Sequence, residues 1–170
     1  MDLRKTLIET SAILNAQGID HALIGGLAMA VHGVNRATAD VDFLADGSRV
    51  KDIREAMTGG GFTERFSSPE VLQFAGVGFV DILLANRPLS LAMLKEAKEE
   101  PLLKVRVLSA EHLIGLKIQA YANDPLRKLQ DQADIQSLIL KHPHLDFAKI
   151  KIYADLFGEW PTIERIRGSK

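Results

Sequence analysis

The sequence predicts an α+β fold, with a mixed β-sheet flanked by helices and a helical C-terminal half. Helical and strand-like apolar spacings alternate at first, several short strand-like runs are joined by tight turns, and helical spacing dominates after Pro88. With 170 residues, 46% of them hydrophobic and 25% charged, the chain is long enough for a substantial core. We therefore expect one domain over residues 1–170, with a sheet-containing core at 1–108 and a helical part at 109–170.

Helices and strands alternate in the first half of the chain. Apolar residues at helical spacing predict three helices, over 3–17, 27–32 and 48–58. Short apolar runs bounded by glycine, serine or proline predict five strands, over 20–24, 36–45, 62–66, 71–75 and 77–85. Gly18 is expected to end the first helix and Ser48 to be the N-cap of the third.

The second half is predicted to be mostly helical. Helical spacing predicts four helices, over 88–99, 110–122, 125–141 and 146–157, and a short strand over 103–108. Asp124-Pro125 is a typical pair for a helix N-terminus. Trp160-Pro161 is interpreted as a packing anchor rather than a base-stacking platform.

Charge is divided unevenly between the two halves. Residues 1–86 hold 7 Lys+Arg against 11 Asp+Glu, a net charge of −4, whereas residues 87–170 hold 14 against 11, a net charge of +3. The basic half could face nucleotide phosphate or RNA, although a solvated surface explains so small an imbalance equally well.

The chain has no cysteine, which excludes disulfides and thiolate metal sites and fits a reducing compartment. The longest apolar runs, such as Val77 to Ala85, are too short to span a bilayer, and the amino terminus lacks the apolar core of a signal peptide. We expect a soluble cytoplasmic protein with no membrane partner.

Two carboxylates, Asp40 and Asp42, are the first candidate ligands. Because side chains alternate along a strand, Arg36, Thr38, Asp40 and Asp42 are predicted to share one face of the strand at 36–45. Carboxylates one pleat apart could hold a divalent cation such as Mg²⁺ between them. A polar strand face turned to water is the alternative interpretation.

Gly25-Gly26 lies between a predicted strand and a predicted helix. Glycines at such a junction let backbone N–H groups approach a phosphate closely, and the helix N-terminus adds a partial positive charge. A tight strand-to-helix turn explains the pair equally well. The spacings of a dinucleotide fingerprint and of a Walker loop are both absent from the sequence.

Asp81 is a carboxylate in an otherwise apolar run. Val77, Phe79 and Leu83 share its face of the predicted strand, so we expect Asp81 on a face that is otherwise core. An unpaired buried carboxylate is costly, and a nearby metal ion would remove that cost. A hydrogen bond to a turn or an ion pair with an arginine is the alternative.

Three segments resemble the nucleotidyltransferase superfamily of the DNA polymerase β type, in particular its small bacterial AbiEii-type toxin branch. They are Ile24-Gly-Gly-Leu-Ala-Met-Ala-Val-His-Gly33, Arg36-x-Thr38-x-Asp40-x-Asp42 and Val80-Asp81-Ile82. The resemblance covers residues 20–85 strongly and 109–140 less so. It implies a nucleotidyltransferase fold in which Asp40, Asp42 and Asp81 bind two divalent ions, Mg²⁺ or Mn²⁺, and Gly25 and Gly26 hold a nucleoside triphosphate. Many relatives have Gly-Ser where this chain has Gly25-Gly26, and there the serine hydroxyl contacts a terminal phosphate.

The activity implied by the resemblance is transfer of a nucleoside monophosphate to an acceptor hydroxyl on RNA, protein or a small molecule, with release of pyrophosphate. A toxin or antitoxin partner is implied as well. The alternative is a catalytically weak member of the same fold that binds a nucleotide or a partner protein.

Lys117 lies on the apolar stripe of the predicted helix at 110–122. Its neighbours at three and four residues are apolar or aromatic: Leu113, Ile114, Ala120 and Tyr121. The resemblance implies that Lys117 contacts phosphate and that Asp131 holds Lys117 or another basic group. In the alternative, Lys117 extends to water and Asp131 pairs with Arg127. Arg36 and Thr38 are predicted to contact phosphate or base, although Arg36 could instead only neutralise Asp40 and Asp42.

Overall fold

A computed structural model describes residues 2–168, which divide into two compact units. The first unit runs up to Ala28 and continues over Arg36–Leu108, and the second comprises Met29–Asn35 and the chain from Ser109 onwards. The predicted α+β class, with its mixed sheet and helical second half, is confirmed.

The first unit contains a mixed sheet of seven strands among the described residues. Its elements are α1 (Leu3–Ala16), β1 (His21–Ile24), α2 (Gly25–Val31), which continues into the second unit, β2 (Asp40–Asp46), α3 (Val50–Gly59), β3 (Thr63–Ser67), β4 (Val71–Ala75), β5 (Phe79–Ala85), α4 (Pro88–Glu96), β6 (Lys98–Glu100) and β7 (Val105–Val107). The strand order is β3-β4-β5-β2-β1-β7-β6; β2 pairs with β5, and β1 with β7, in parallel, and the other neighbours are antiparallel.

The core of the first unit lies on one face of strands β2, β4 and β5. Helices α1, α3 and α4 contact the sheet, and α1 also packs against α3. Alternate residues of the strands are fully buried, as a half-covered sheet requires. The buried side chains include Val41, Phe43, Leu72, Phe74, Val80 and Ile82.

The second unit consists mainly of four helices: α5 (Ala110–Asn123), α6 (Lys128–Lys141), α7 (Phe147–Leu156) and α8 (Trp160–Gly168). Helix α5 packs against α6 and α7, and α8 packs against the same two helices. Ser109 and Asp146 cap α5 and α7 by accepting hydrogen bonds from backbone N–H groups of the first turn. Among the helices of the described chain, none combines the length and the apolar character that a bilayer crossing requires.

Strand β2 begins at Asp40 rather than at residue 36. It pairs with β1 from Asp42 and with β5 from Asp40, so the segment before it has no strand to pair with and stays irregular. The predicted cap at Ser48 is also wrong. The Asp46 carboxylate accepts a hydrogen bond from the Ser48 backbone N–H, and a 3-10 turn at Gly47–Arg49 precedes α3.

Two elements were not predicted. The helix expected over 88–99 ends at Glu96, and Lys98–Glu100 forms the short edge strand β6, whose polar residues carry no strand-like alternation. Trp160-Pro161 opens helix α8, which buries only Ile163 and Ile166 and therefore shows a weak apolar stripe. Proline is well tolerated in the first turn of a helix, because an N–H there has no partner within the helix.

Candidate active site

Three carboxylates meet where β2 and β5 begin. Asp40 and Asp42 occupy alternate positions of β2, and Asp81 lies directly opposite Asp42 in the parallel pair. Each can offer an oxygen within 4.8 Å of the other two, and no other group of this kind occurs among residues 2–168. The register therefore gathers the three predicted acids into one cluster, the acid triad.

The expectation that Asp81 lies on a core face is wrong. Its own face carries Phe79, which is 56% exposed, whereas Val80 and Ile82 on the opposite face are fully buried. Both faces of β5 are rich in apolar residues, so the alternation pattern could not identify the buried one. Asp81 is half-buried on the face that we term the open face, which also carries Asp40 and Asp42.

Burial and the charges of neighbouring carboxylates raise the pKa of two acids of the triad, Asp42 and Asp81. Burial raises the pKa of Asp42 to about 7, and the negative charges of Asp40 and Asp81 add to the effect. A hydrogen bond from the Gly26 backbone N–H and the charge of Arg36 oppose it. A cluster of carboxylate oxygens that repel one another is the donor set that Mg²⁺ and Mn²⁺ prefer, so these residues fit a divalent cation.

Two neighbouring side chains orient the acids. The Thr38 hydroxyl donates a hydrogen bond to Asp40 Oδ1 at 2.8 Å, and Gln73 Nε2 donates one to Asp81 Oδ2 at 3.0 Å. Burial also raises the pKa of Asp81, and the Gln73 hydrogen bond counteracts that rise. Gln73 was missed in the sequence, although a hairpin closing around Gly76 places residue 73 opposite residue 81.

The two glycines let the backbone approach the acids. Gly25 has φ +64°, and a Cβ at this position would overlap the Asp42 carboxylate. A Cβ on Gly26 would lie 2.6 Å from Thr38 Cβ. Gly25 is therefore required by both backbone conformation and space, whereas Gly26 is required by space alone, because a serine there would displace Thr38.

Gly25→Ala is expected to lower the free energy of unfolding by about 2–4 kcal/mol, because backbone strain adds to the clash with Asp42. Gly18→Ala is the matched control, since Gly18 has φ +61° and no heavy atom within 4 Å of an added Cβ. Urea unfolding of both variants separates the strain from the clash. Equal losses would show that Gly25 is needed for its backbone conformation alone.

The other predicted residues lie in both units. Arg36 and Thr38 belong to the irregular segment before β2, and both act on the triad through charge or hydrogen bonding. Lys117 and Asp131 lie in the second unit, in α5 and α6. The predicted phosphate contact of Lys117 stays a prediction.

Lys117 is buried rather than extended to water. Its Nζ donates to Asp131 Oδ1 at 3.0 Å and also to Asp134, which the sequence reasoning missed. Asp134 follows Asp131 by three residues on α6, a spacing that places both on one side of a helix. Asp131 holds Lys117 as predicted. Its Oδ2 also lies 3.3 Å from Arg127 Nε, so the ion pair of the alternative interpretation is present as well.

Comparison with known proteins finds similarity in structure alone. No protein-family model matches the sequence, and no curated protein matches it either. The antibiotic-resistance factor ANT(2'')-Ia aligns with a TM-score of 0.67 and 17% identity, over 100% of both chains. A nucleotidyltransferase-like protein from Paracoccidioides brasiliensis gives 0.57 and 17%, over 99% of this chain and 93% of that one. The lincosamide antibiotic adenylyltransferase LnuA gives 0.56 and 15%, over 79% and 94%.

These identities are low, but the alignments cover most or all of each chain. They agree with the mixed sheet and with the helical second half predicted from the sequence. The chain has the nucleotidyltransferase fold.

Proposed function

We propose that this protein is a metal-dependent nucleotidyltransferase, which moves a nucleoside monophosphate from a nucleoside triphosphate to an acceptor hydroxyl. The observation that carries the proposal is the acid triad, whose oxygens gather within 4.8 Å beside the close backbone approach at Gly25 and Gly26. Two similar structures give precedents on this fold. LnuA is an adenylyltransferase, and ANT(2'')-Ia has been crystallised with adenylyl-2''-tobramycin.

Asp40, Asp42 and Asp81 are the proposed ligands of two divalent ions, Mg²⁺ or Mn²⁺. Bound there, such ions would neutralise phosphate charge and acidify the acceptor hydroxyl. Thr38 and Gln73 fix the orientation of two of the acids through hydrogen bonds. The backbone at Gly25 and Gly26 is proposed to approach the triphosphate, because no Cβ stands in the way.

The proposed reaction is an in-line displacement. The acceptor oxygen forms a bond to the α-phosphorus, the bond from that phosphorus to the bridging oxygen breaks, and pyrophosphate leaves. The hydroxyl proton passes to the Asp81 carboxylate, one oxygen of which is fixed by Gln73. Arg36 is proposed to contact the phosphates, because its charge already acts on Asp42.

Label transfer tests the proposal. The protein is incubated with Mg²⁺, each α-labelled triphosphate, and whole-cell RNA, protein and small molecules, and pyrophosphate release is followed in parallel. We expect label in one acceptor class and none with the double variant Asp40→Asn/Asp42→Asn. Asp46→Asn is the matched control, because Asp46 lies on the same strand outside the triad. Transfer by the double variant at the wild-type rate would overturn the proposal.

The finer assignments rest on the sequence resemblance. We propose membership of the AbiEii-type branch and a toxin or antitoxin partner on that ground. Co-expression with the neighbouring gene product, followed by a growth assay, tests the partner. Loss of growth arrest in the Asp40→Asn/Asp42→Asn variant would link any toxicity to the triad.

A further inference from the structure

Helix α6 and the turn before it carry an apolar stripe that faces solvent. Leu129, Ala133 and Leu140 lie on α6, and Leu126 lies in the 3-10 turn Pro125–Arg127, which leads directly into the helix. Leu126, Leu129 and Leu140 are 95%, 86% and 59% exposed, and Ala133 is exposed as well. We call these four residues the exposed stripe. Three leucines along one line of a helix are a large apolar surface to leave in water.

The exposed stripe lies opposite the face of α6 that packs inside the second unit. Helix α6 packs against α5 and α8, and its buried residues are Asp131, Asp134, Ile135, Leu138 and Ile139. At 3.6 residues per turn, the centre of this buried set lies about 180° around the helix from the centre of the exposed stripe. Neither the core nor the ion pairs of Lys117 therefore explain the exposed leucines. A helix that is apolar on the side away from its own core indicates a second packing partner.

The spacing of the exposed stripe is that of a helix–helix contact. Its residues follow one another at intervals of three, four and seven, which are the a and d positions of a heptad repeat, and Gln136 fills the remaining d position. Side chains at these positions insert between those of a partner helix. Ala133 is the central residue of the stripe, and its small side chain lets two helix backbones approach closely.

The charge pattern beside the stripe fits a second copy of this chain. The e and g positions, which border a contact of this kind, are uncharged. They are Gln130, Gln132, Ser137 and Ile139. Arg127, Lys128 and Lys141 occupy b and c positions away from the contact, and the first two already pair with Asp131 and Glu159. Two copies therefore meet without like-charge repulsion, whereas an acidic or basic partner finds no opposite charge at the border of the stripe.

We propose that the exposed stripe is a self-association surface, at which the α6 helices of two copies pack against each other about a two-fold axis. In a two-fold contact the same patch is used on both copies, so Ala133 of each copy lies near the axis. The leucines of each copy then cover those of the other, and their removal from water drives the association. The proposal concerns the second unit and does not rest on the proposed function.

Sedimentation velocity of the full chain measures the association. We expect the wild type to sediment at twice the chain mass of 18.7 kDa at about 100 μM and to dissociate on dilution. Leu129→Glu should raise the Kd of the dimer at least about a hundredfold, because it places a charge from each copy in an apolar contact. Leu102→Glu is the matched control. Leu102 is 87% exposed in the turn between β6 and β7, outside the stripe, and its replacement should leave the Kd unchanged.

An engineered disulfide tests the position of the axis. The chain has no cysteine, so Ala133→Cys introduces a single thiol. Under mild oxidation we expect Ala133→Cys to form a cross-linked dimer, because the two Cβ atoms lie close enough for a disulfide, and Leu102→Cys to remain monomeric on a non-reducing gel. Circular dichroism of Leu129→Glu checks that α6 stays folded, as we expect at an exposed site where both residues favour helix.

Several results would overturn the proposal. A wild type that stays monomeric at the highest concentration is one of them. A dimer that Leu129→Glu leaves intact, or that Leu102→Glu weakens equally, is another, because the contact would then lie elsewhere on the molecule. A dimeric Ala133→Cys that does not cross-link would exclude a two-fold axis at Ala133. A dimer that depends on Leu129, in a protein without detectable transfer, supports the self-association surface and contradicts only the enzymatic function.

Discussion

Replacing Asp42 by asparagine is expected to abolish nucleotidyl transfer while making the metal-free protein more stable. Activity should fall at least about a thousandfold, because a proposed ligand of the catalytic ions is lost. Stability should rise by about 2 kcal/mol near pH 8, because burial and two neighbouring carboxylates disfavour the Asp42 charge. A gain in stability with a loss of activity is typical of a site whose like charges repel one another until a ligand neutralises them.

The sign of the pH dependence follows from the same pKa. The pKa of Asp42 in the folded protein is about 7, above its ordinary value of 3.8, so the folded state binds this proton more tightly. The stabilisation from this group is complete below the ordinary pKa and is lost as pH rises through 7. Without metal, the wild-type Tm should therefore fall between about pH 4 and 7, and Asp42→Asn should flatten that fall.

Thermal unfolding in chelator and in Mg²⁺ checks this prediction. Mg²⁺ should raise the wild-type Tm at pH 8 and leave that of Asp42→Asn nearly unchanged, because a ligand stabilises only the state that binds it. Asp46→Asn, at the other end of β2, should behave as the wild type. If Asp42→Asn kept the pH slope and the Mg²⁺ response of the wild type, the Asp42 charge would not destabilise the folded protein and the triad would not be the site that binds the ion.

Lys117→Met is expected to have the largest effect on stability. The substitution leaves Asp131 and Asp134 buried without their shared cation, and breaking a buried ion pair in this way costs about 3–5 kcal/mol. For a chain of this length, the Tm should fall by about 10 °C. Urea unfolding followed by circular dichroism measures the loss.

A compensated variant separates charge from packing. Lys117→Met/Asp131→Asn/Asp134→Asn removes all three charges, and it should recover most of the stability lost in Lys117→Met. Failure to recover would mean that the lysine stem, rather than its ammonium, stabilises the helices. Triphosphate titration of the compensated variant then tests the phosphate contact of Lys117, because the effect of unfolding has been removed.

Local patterns predicted the acids but not their surroundings. Alternation placed Asp40 and Asp42 on one face, since that relation depends only on neighbouring residues. The face of Asp81 was assigned wrongly because both faces of β5 are apolar, and only packing of the helices decides which is covered. The start of β2 likewise depends on where β1 and β5 offer partners.

Long-range pairing also explains what was missed in the fold. β6 forms because the backbone of Lys98–Glu100 pairs with β7 at the edge of the sheet. The side chains of these residues show no pattern that predicts this pairing. Asp134 was missed because its relation to Lys117 crosses from one helix to another. Conversely, Gly25 was identified from the local sequence, because a positive φ at one position favours glycine at that position.

Because Asp81 lies directly opposite Asp42 in the parallel pair, a divalent ion bound by the proposed metal site would favour the correct register of β2 and β5. A slip of one residue between β2 and β5 would turn Asp81 to the buried side and set Val80 or Ile82 opposite Asp42. Such a conformer buries a lone charge and has no clustered oxygens to offer. A divalent ion that binds only the correctly aligned strands would increase the population of that alignment, and it would thereby stabilise the native sheet.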